Sequence, residues 1–365
     1  MYRYVKLLFL FFVTMFSVNV HAADVVNFST INLLKESFRI SQDDTIISGL
    51  SIDYAVDMLA NGASGKSLEQ LVNFLGTSIE NKNNELHEQI TNLPKTLEIS
   101  NSIWGNEFRE SYKNLLINIL NVSVEQLPEN TSVINDWIAD KTHNRITSVL
   151  KPEQTDETDL YLVNTIYFKD NWAKQFNKKY TREEIFHSLL GTDVKVPMMH
   201  RTDTMLYAEN SKVQSIKLPY ENGGFLIVYL PREDVNFYDF ISDLTPDDLD
   251  LDYRNNLVEL SLPRFKVEKK TDVKEIFLAL GIDEIFNSGY DFNNMCPLNP
   301  HVAKFIHQAC VEVDEEGTVA AAATVAKMMM GAARPTKPIQ FVVNRPFLFF
   351  VTQGNFIGFY TGNGK

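Results

Sequence analysis

The chain has 365 residues, 44% of them hydrophobic, and a formal net charge of −13 at pH 7. That length and apolar content are enough to bury a sizeable core, in one large domain or in two medium ones. The acidic balance argues against general binding of nucleic acid or of anionic membranes, so neither is expected as a partner.

Residues 1–22 have the pattern of a secretory signal peptide. Arg3 and Lys6 form a basic start, residues 7–18 are almost wholly apolar, and Val20 and Ala22 stand where a signal peptidase reads small residues. The alternative is a membrane anchor, which the short apolar run disfavours. We therefore expect a secreted protein whose mature part is residues 23–365, extracellular or, in a bacterium, periplasmic or at the cell surface.

Helical spacing of apolar residues dominates the first half of the chain. The polar stretch 77–95 is predicted as a loop or a short helix. Helices are predicted over 28–38, 53–59, 66–75, 111–120 and 132–149, and short strands over 44–52 and 97–104.

Strand patterns become more frequent in the second half. Residues 159–168 are almost continuously apolar, which is typical of a strand buried on both faces. Further strands are predicted over 194–199, 213–218, 225–230, 257–267, 303–313, 341–343, 347–352 and 355–362, with helices over 237–244 and 272–280. Without an internal repeat or a long low-complexity linker, the pattern indicates one α+β domain with large sheets.

The motifs of common enzyme classes are missing from the sequence. There is no phosphate-binding glycine loop, no pair of histidines with metalloprotease spacing and no nucleophile elbow. His307 lies in an apolar strand pattern, where a hydrogen-bonded core histidine is the usual case. We therefore expect no catalytic residue, no metal and no cofactor, and we do not expect an enzyme.

The chain has two cysteines, Cys296 and Cys310, too few for a disulfide scaffold or a four-ligand zinc site. One disulfide after export and two buried thiols both fit the sequence. Sequons occur at Asn27, Asn121 and Asn130 and matter only in a source that glycosylates secreted proteins.

The segment 315–324 is the most unusual stretch. A helix is one prediction, because alanine has the best helix propensity and acidic residues precede the alanines. A strand is the other, because the residues on one face at period two are small and uncharged, so that this face could enter a sheet without overpacking. The residues that carry this pattern are Glu315, Glu316, Gly317, Thr318, Ala320, Ala321, Ala322, Ala323 and Thr324.

This segment resembles the reactive-loop hinge of inhibitory serpins, and the resemblance covers nearly the whole mature chain. Six further segments occur in the family's order and spacing: 162–172 (LVNTIYFKDNW), 196–199 (VPMM), 218–220 (LPY), 262–265 (LPRF), 280–282 (LGI) and 344–347 (NRPF). The resemblance implies a serpin fold, with about eight or nine helices around three β-sheets and an exposed reactive-centre loop at about 315–337.

Several positions match the family's functional residues. Ser48, Ser51, Asn164 and His307 match the polar cluster, called the shutter, under the part of the sheet that opens, and Trp172 matches the aromatic residue where insertion starts. The chain also departs from the family. It has Ser48-Gly49 where Ser-Pro is usual, and the short polar region 77–95 implies a reduced or missing helix, which makes activation through a basic helix doubtful.

The resemblance implies a suicide-substrate inhibitor that forms a covalent complex with a serine or cysteine protease and acts as a monomer. The family's spacing from Glu315 puts the cleaved bond at Met330-Gly331 or Gly331-Ala332, which suggests an elastase-like or broad-specificity target. Arg334 is the alternative and would suggest a trypsin-like target, although Pro335 makes its bond a poor substrate. A carrier or chaperone without inhibitory activity is the second class of function, and its members tend to have bulky or charged hinges.

Overall fold

The computed structural model describes residues 27–141, 150–287, 290–318 and 337–363. The predicted signal peptide lies outside them. The helices in these ranges are α1 (Phe28–Ile40), α2 (Gly49–Gly62), α3 (Gly65–Leu75), α4 (Ile79–Thr91), α5 (Glu110–Leu120), α6 (Ser132–Lys141), α7 (Phe237–Ser242) and α8 (Lys274–Ala279).

Sixteen strands lie in the same ranges. They are β1 (Thr45–Ser48), β2 (Leu97–Gly105), β3 (Ser123–Gln126), β4 (Asp159–Phe168), β5 (Asp170–Asn171), β6 (Arg182–His187), β7 (Asp193–Glu209), β8 (Val213–Pro219), β9 (Phe225–Pro231), β10 (Arg254–Pro263), β11 (Phe265–Asp272), β12 (His301–Val313), β13 (Gly317–Thr318), β14 (Ile339–Val342), β15 (Phe347–Val351) and β16 (Phe356–Tyr360).

The strands of the described residues form three sheets. The largest has nine strands in the order β1-β16-β15-β9-β8-β7-β10-β14, with β6 paired to β7. The second has the order β11-β12-β4-β2-β3, and the third is the two-stranded pair β13-β5. Eight helices around three sheets in these ranges confirm the predicted α+β class and the predicted number of sheets.

The five-stranded sheet is covered on both faces. Helix α2 is buried along almost its whole length and packs under β4. On the other face, a small cluster separate from the main core contains Ile134 and Ile138 of α6 and Trp104 of β2, with Trp137 against Trp104 at 6.1 Å. The centre of this sheet is therefore enclosed, while its strands continue beyond the covering helices.

Most predicted elements are present, and the long apolar strand has the predicted bounds, 159–168. Of the alternatives for 77–95, the loop and the missing helix are wrong, because α4 is a helix of 13 residues. The apolar stripe of α4 is sparse, because Leu86 is buried and only Ile79 and Ile90 pack half-buried against the core beside it. The helix is capped by Ser78, whose hydroxyl accepts a hydrogen bond from the Asn81 amide.

Other elements also differ from the prediction. Helix α2 begins at Gly49 and not at residue 53, because the Ser48 hydroxyl caps it by accepting from the Ser51 amide at 3.1 Å. Strand β6 and the second half of β7 were not predicted, because their mixed charged and apolar residues show no clear period. Helix α6 confirms the start of the helix predicted over 132–149, and residues 142–149 lie outside the described part.

No helix within the described residues is long and apolar enough to cross a membrane. Cys296 and Cys310 are both thiols, the first buried and the second half-buried.

Candidate functional site

A buried polar cluster lies where α2 meets the five-stranded sheet. His307 of β12 stands in register with Asn164 of β4, which in turn is in register with Asn101 of β2. The amide of Ser48, at the start of α2, donates to His307 Nε2 at 3.2 Å, and His307 Nδ1 lies 2.6 Å from Asn164 Oδ1. The cluster therefore connects three neighbouring strands to the helix beneath them.

The hydrogen bonds of His307 determine its tautomer. A backbone amide can only donate, so Nε2 is the acceptor and the proton is on Nδ1, from which it is donated to Asn164. Burial lowers the pKa of His307 to about 3. A proton added at Nε2 would face the Ser48 amide, so the cluster is satisfied only with a neutral imidazole.

The remaining bonds of the cluster fix Asn164 and Ser48. Asn164 accepts from the Ser51 hydroxyl, and its Nδ2 donates to the Ser51 carbonyl at 2.9 Å and to Asn101. The Ser48 hydroxyl donates to the carbonyl of Gly354 at 2.5 Å. The four residues predicted from the sequence thus lie together, all at most 1% exposed. Asn101 was missed, although the alternation of residues 97–104 already indicated a strand.

The departure from Ser-Pro at Ser48-Gly49 has a local cause. The Gly49 amide donates to the carbonyl of Asn355 at 3.0 Å, a bond that proline could not make. A side chain at this position would also meet Thr30, whose Oγ1 lies 2.4 Å from the position of a Cβ atom.

Strands β12 and β4 form a parallel pair at the centre of this sheet, between two antiparallel pairs. Their pairing runs from His301 and Asp159 to Cys310 and Tyr167. Strand β12 continues to Val313 beyond the last pair. The seam between β12 and β4 is therefore open at this end, where the hinge begins.

The hinge starts with a tight turn that reverses the chain. Asp314 Oδ1 accepts from the amides of Glu316 and Gly317 at 2.8 and 3.1 Å, and the Asp314 amide donates to the Gly317 carbonyl at 2.9 Å. Strand β13 then pairs with β5, the continuation of β4, with Gly317 opposite Asn171. Gly317 has φ +155°, and a Cβ atom here would lie 2.2 Å from the Asp170 carbonyl oxygen, so the close approach requires glycine.

Thr318 is fully buried at the open end of the seam. Its Oγ1 lies 3.1 Å from the Tyr220 hydroxyl, and the Tyr220 ring stacks on Trp172 with centroids 4.8 Å apart. Trp172 Nε1 donates to the Asp314 carbonyl at 2.8 Å, and its amide donates to the Glu316 carbonyl at 2.9 Å. Trp172 therefore belongs to the hinge contacts and not to the polar cluster around His307.

Glu315 holds the hinge turn to the rest of the protein through its buried carboxylate. Its side chain is 1% exposed, and its two carboxylate oxygens accept from Arg264 at 2.7 and 2.8 Å. The Thr181 hydroxyl donates to the same carboxylate at 2.6 Å. Burial would raise the pKa of Glu315, but the hydrogen bonds from Arg264 and Thr181 outweigh it and the pKa is lowered.

Glu316 is held more loosely, by an ion pair with Lys178, whose side chain is 64% exposed. The sequence predicted both glutamates as hinge residues but did not predict their partners, since nothing in the chain's order relates residue 264 or 181 to residue 315. The other predicted site residues lie outside the described part: Ala320, Ala321, Ala322, Ala323, Thr324, Met330, Gly331, Ala332 and Arg334.

Comparisons with known proteins agree on one family. A family model described as "Serpin (serine protease inhibitor)" matches residues 24–360. Serpin B6 of Pongo abelii is 31% identical over 350 residues, which cover 88% of this chain and 92% of that protein. The solved structure of Tengpin, a thermophilic serpin in its native state, is 29% identical, covers 91% of this chain and 93% of its own, and has a TM-score of 0.80. Serpin48 of Tenebrio molitor shares the fold at a TM-score of 0.83 and 23% identity, covering 93% and 97% of the two chains.

Proposed function

The chain belongs to the serpin family, and on that premise we propose that it is a secreted suicide-substrate inhibitor of serine proteases, or of cysteine proteases by the same acyl-enzyme chemistry. The proposal includes a signal peptide at 1–22, a single domain over 23–365, a reactive-centre loop at about 315–337, and a monomer that acts on one protease molecule at a time.

The proposed reaction starts as ordinary proteolysis. The nucleophile of the protease attacks the scissile carbonyl of the loop, forms an acyl bond to the residue on the N-terminal side and releases the new amino group on the C-terminal side. The freed N-terminal part of the loop then inserts between β12 and β4 and carries the attached protease with it. Hydrolysis of the acyl bond is prevented if insertion is faster.

The observation that carries the proposal is the direction of the hinge. The turn at Asp314 sends the chain back along β12, and Gly317 and Thr318 already pair with β5 at the open end of the seam. A strand that follows this path is antiparallel to β12 and, because β12 and β4 are parallel, also antiparallel to β4. Insertion would replace one parallel ladder by two antiparallel ones, which are slightly more stable per residue.

The strand registers support a scissile bond near residue 330. Strand β12 has 13 residues, and the turn that joins Asp314 to Gly317 puts Thr318 opposite Val313. Continued without interruption, that register puts Met330 opposite His301, the first residue of β12. The register of Thr318 with Asp170 independently puts Met330 beside the start of β4. Cleavage at Met330-Gly331 or Gly331-Ala332 therefore frees a segment that fills the seam.

The alternative scissile bond, after Arg334, fits the length of the seam between β12 and β4 less well. It would free a segment several residues longer than β12, and Pro335 follows directly. The target is therefore proposed to be an elastase-like or broad-specificity protease, and a trypsin-like target remains the alternative.

The experiment is incubation with an elastase-like and a trypsin-like protease, followed by denaturing electrophoresis and mass spectrometry of the released C-terminal peptide. A complex that resists denaturation supports inhibition, and the peptide mass assigns the bond among Met330, Gly331 and Arg334. Cleavage by both proteases without any complex would contradict the proposal and favour a non-inhibitory carrier, a role suggested for this fold by the structure of human thyroxine-binding globulin with its ligand. The N-terminal sequence of the exported protein tests cleavage after Ala22.

A further inference from the structure

A cluster of buried charges joins α2 to α4, away from the hinge. Asp57 is fully buried, and Asp53 and Lys82 are 8% and 4% exposed. Lys82 Nζ lies 3.1 Å from Asp53 Oδ2 and 3.0 Å from Glu85 Oε2, so one ammonium is shared by carboxylates of both helices. We call Asp53, Asp57, Lys82 and Glu85 the α2–α4 charge cluster.

Asp57 is the least satisfied member of the cluster. Its Oδ2 accepts from Asn61 at 3.2 Å, but its Oδ1 has no hydrogen-bond partner among the described residues, although it is buried. A buried carboxylate without full pairing is costly in its ionised form. Three carboxylates beside one ammonium would leave the cluster with two excess negative charges, and a bound proton would remove one of them.

The groups that act on the two aspartates are few. Besides burial, the pKa of Asp57 is lowered by Lys82 and Asn61 and raised by Asp53 and Glu85, and that of Asp53 is lowered by Lys82 and raised by Glu85. Burial and Asp57 in turn raise the pKa of Tyr54 on the same helix and of Tyr112 on α5. Burial is the main cause that raises the pKa of Asp57 to about 7 and that of Asp53 to about 6, against the opposing effect of Lys82. Burial opposes the charge of Lys82, but its carboxylate neighbours raise its pKa overall, so it stays protonated.

We propose that the α2–α4 charge cluster is a pH-sensitive switch, which takes up a proton as the pH falls from 8 to 6 and then holds α4 more firmly on α2. Helix α2 connects the charge cluster to the polar cluster around His307, because the first turn of α2 contains Ser51 and is capped by Ser48. Firmer packing of α2 would prolong the lifetime of the uninserted form at pH 6 relative to pH 8. This consequence rests on the proposed function, whereas the proton uptake itself does not.

The direction follows from proton linkage. The folded protein holds a proton on Asp57 at pH values where the unfolded chain, with an ordinary pKa of 3.8, has lost it. The stabilisation is therefore full below about pH 4 and is lost as the pH rises through about 7. Between pH 8 and pH 6 the equilibrium constant for unfolding should fall about tenfold through Asp57 alone.

The experiment is urea-induced unfolding of the full chain at pH 8, 7 and 6, for the wild type, Asp57→Asn and Glu85→Gln. Asparagine keeps the shape of a protonated aspartate and cannot titrate. Each variant retains His307, so the ratio of unfolding constants between wild type and Asp57→Asn isolates Asp57, and we expect this ratio to fall about tenfold from pH 8 to pH 6. Glu85→Gln removes the carboxylate that contributes least to the raised pKa of Asp57, so it should keep most of the pH dependence of the wild type.

A ratio constant within about twofold would overturn the proposal, as would a Glu85→Gln protein that loses the pH dependence to the same extent. If Asp57→Asn does not fold, Asp57→Ser takes its place in the same comparison. Hydrogen exchange, corrected for its intrinsic pH dependence, should show slower exchange at pH 6 in peptides of α2 and α4, and no such change in Asp57→Asn. Neither measurement uses a protease, so a failure to inhibit proteases would leave this test intact.

Discussion

His307 shows how much of the site depends on a single protonation state. It is bound between an amide that can only donate and an asparagine oxygen that can only accept, and both bonds exist only for the neutral Nδ1-protonated ring. The sequence indicated a hydrogen-bonded core histidine from the apolar strand around it. Its partners could not be derived from composition or spacing, because Ser48 and Asn164 come from distant parts of the chain.

Acid should weaken the fold through His307. Its pKa in the folded protein, about 3, is below the ordinary value of 6.5, so the folded state binds fewer protons than the unfolded chain between these values. The stability that His307 contributes is present above pH 6.5 and falls by about 1.4 kcal/mol per pH unit as the pH drops towards 3. Urea unfolding of wild type and His307→Gln at pH 7, 6 and 5 measures the difference. Parallel curves for the two proteins would show that His307 does not titrate in this range.

Arg264→Met should destabilise the hinge turn, because it leaves the Glu315 carboxylate buried without its guanidinium. The arginine is 46% exposed, so we expect a loss of about 1–2 kcal/mol in the free energy of unfolding. The matched control is Lys178→Met, which breaks the exposed pair with Glu316 and should cost less than about 0.5 kcal/mol. Equal losses in the two variants would show that burying the Glu315 carboxylate does not change the free energy of unfolding. In the double variant, Glu315→Gln added to Arg264→Met should recover part of the loss.

At the scale of elements, prediction succeeded where one physical signal dominated. Strand β4 is a continuous apolar run because both of its faces are covered, and its bounds were predicted from that run alone. Helix α4 was predicted only as a loop or a short helix, because its apolar contacts are few, Ile79, Leu86 and Ile90, and because no apolar period reveals the charge cluster around Lys82. The hinge itself was ambiguous from its residues, and the structure shows that Gly317 and Thr318, which follow the turn at Glu315 and Glu316, form a strand.

Thr318→Arg tests whether the hinge must enter the sheet. Thr318 is fully buried against Tyr220, so an arginine there would have to be desolvated or would keep the hinge out. We expect the variant to be cleaved in the loop as a substrate, with at least a tenfold loss of denaturant-resistant complex, a factor that corresponds to about 1.4 kcal/mol. Thr318→Ser, which keeps the hydroxyl, should inhibit as the wild type does. Full trapping of a protease by Thr318→Arg would contradict the insertion account.

At the scale of the whole molecule, the structure combines a sheet that has an open seam with a hinge turn that leads Gly317 and Thr318 to that open end. The family and the α+β fold could be predicted from motifs spread over nearly the whole chain, and they are confirmed, as are eight helices and three sheets within the described residues. The sequence could not predict the ion pair of Glu315 with Arg264 or the buried charges of α2 and α4, because they depend on which distant side chains the fold brings together. The account implies that the uninserted form is not the most stable arrangement of this chain.

The most direct test of that claim is the melting temperature of the protein before and after cleavage of its loop by a protease that it does not trap. Cleavage removes a covalent constraint, and in an ordinary protein it would leave the melting temperature unchanged or lower it. The account predicts a large rise, since the freed segment fills the seam between β12 and β4 and adds two antiparallel ladders. An unchanged or lower melting temperature after complete cleavage near residue 330 would contradict it.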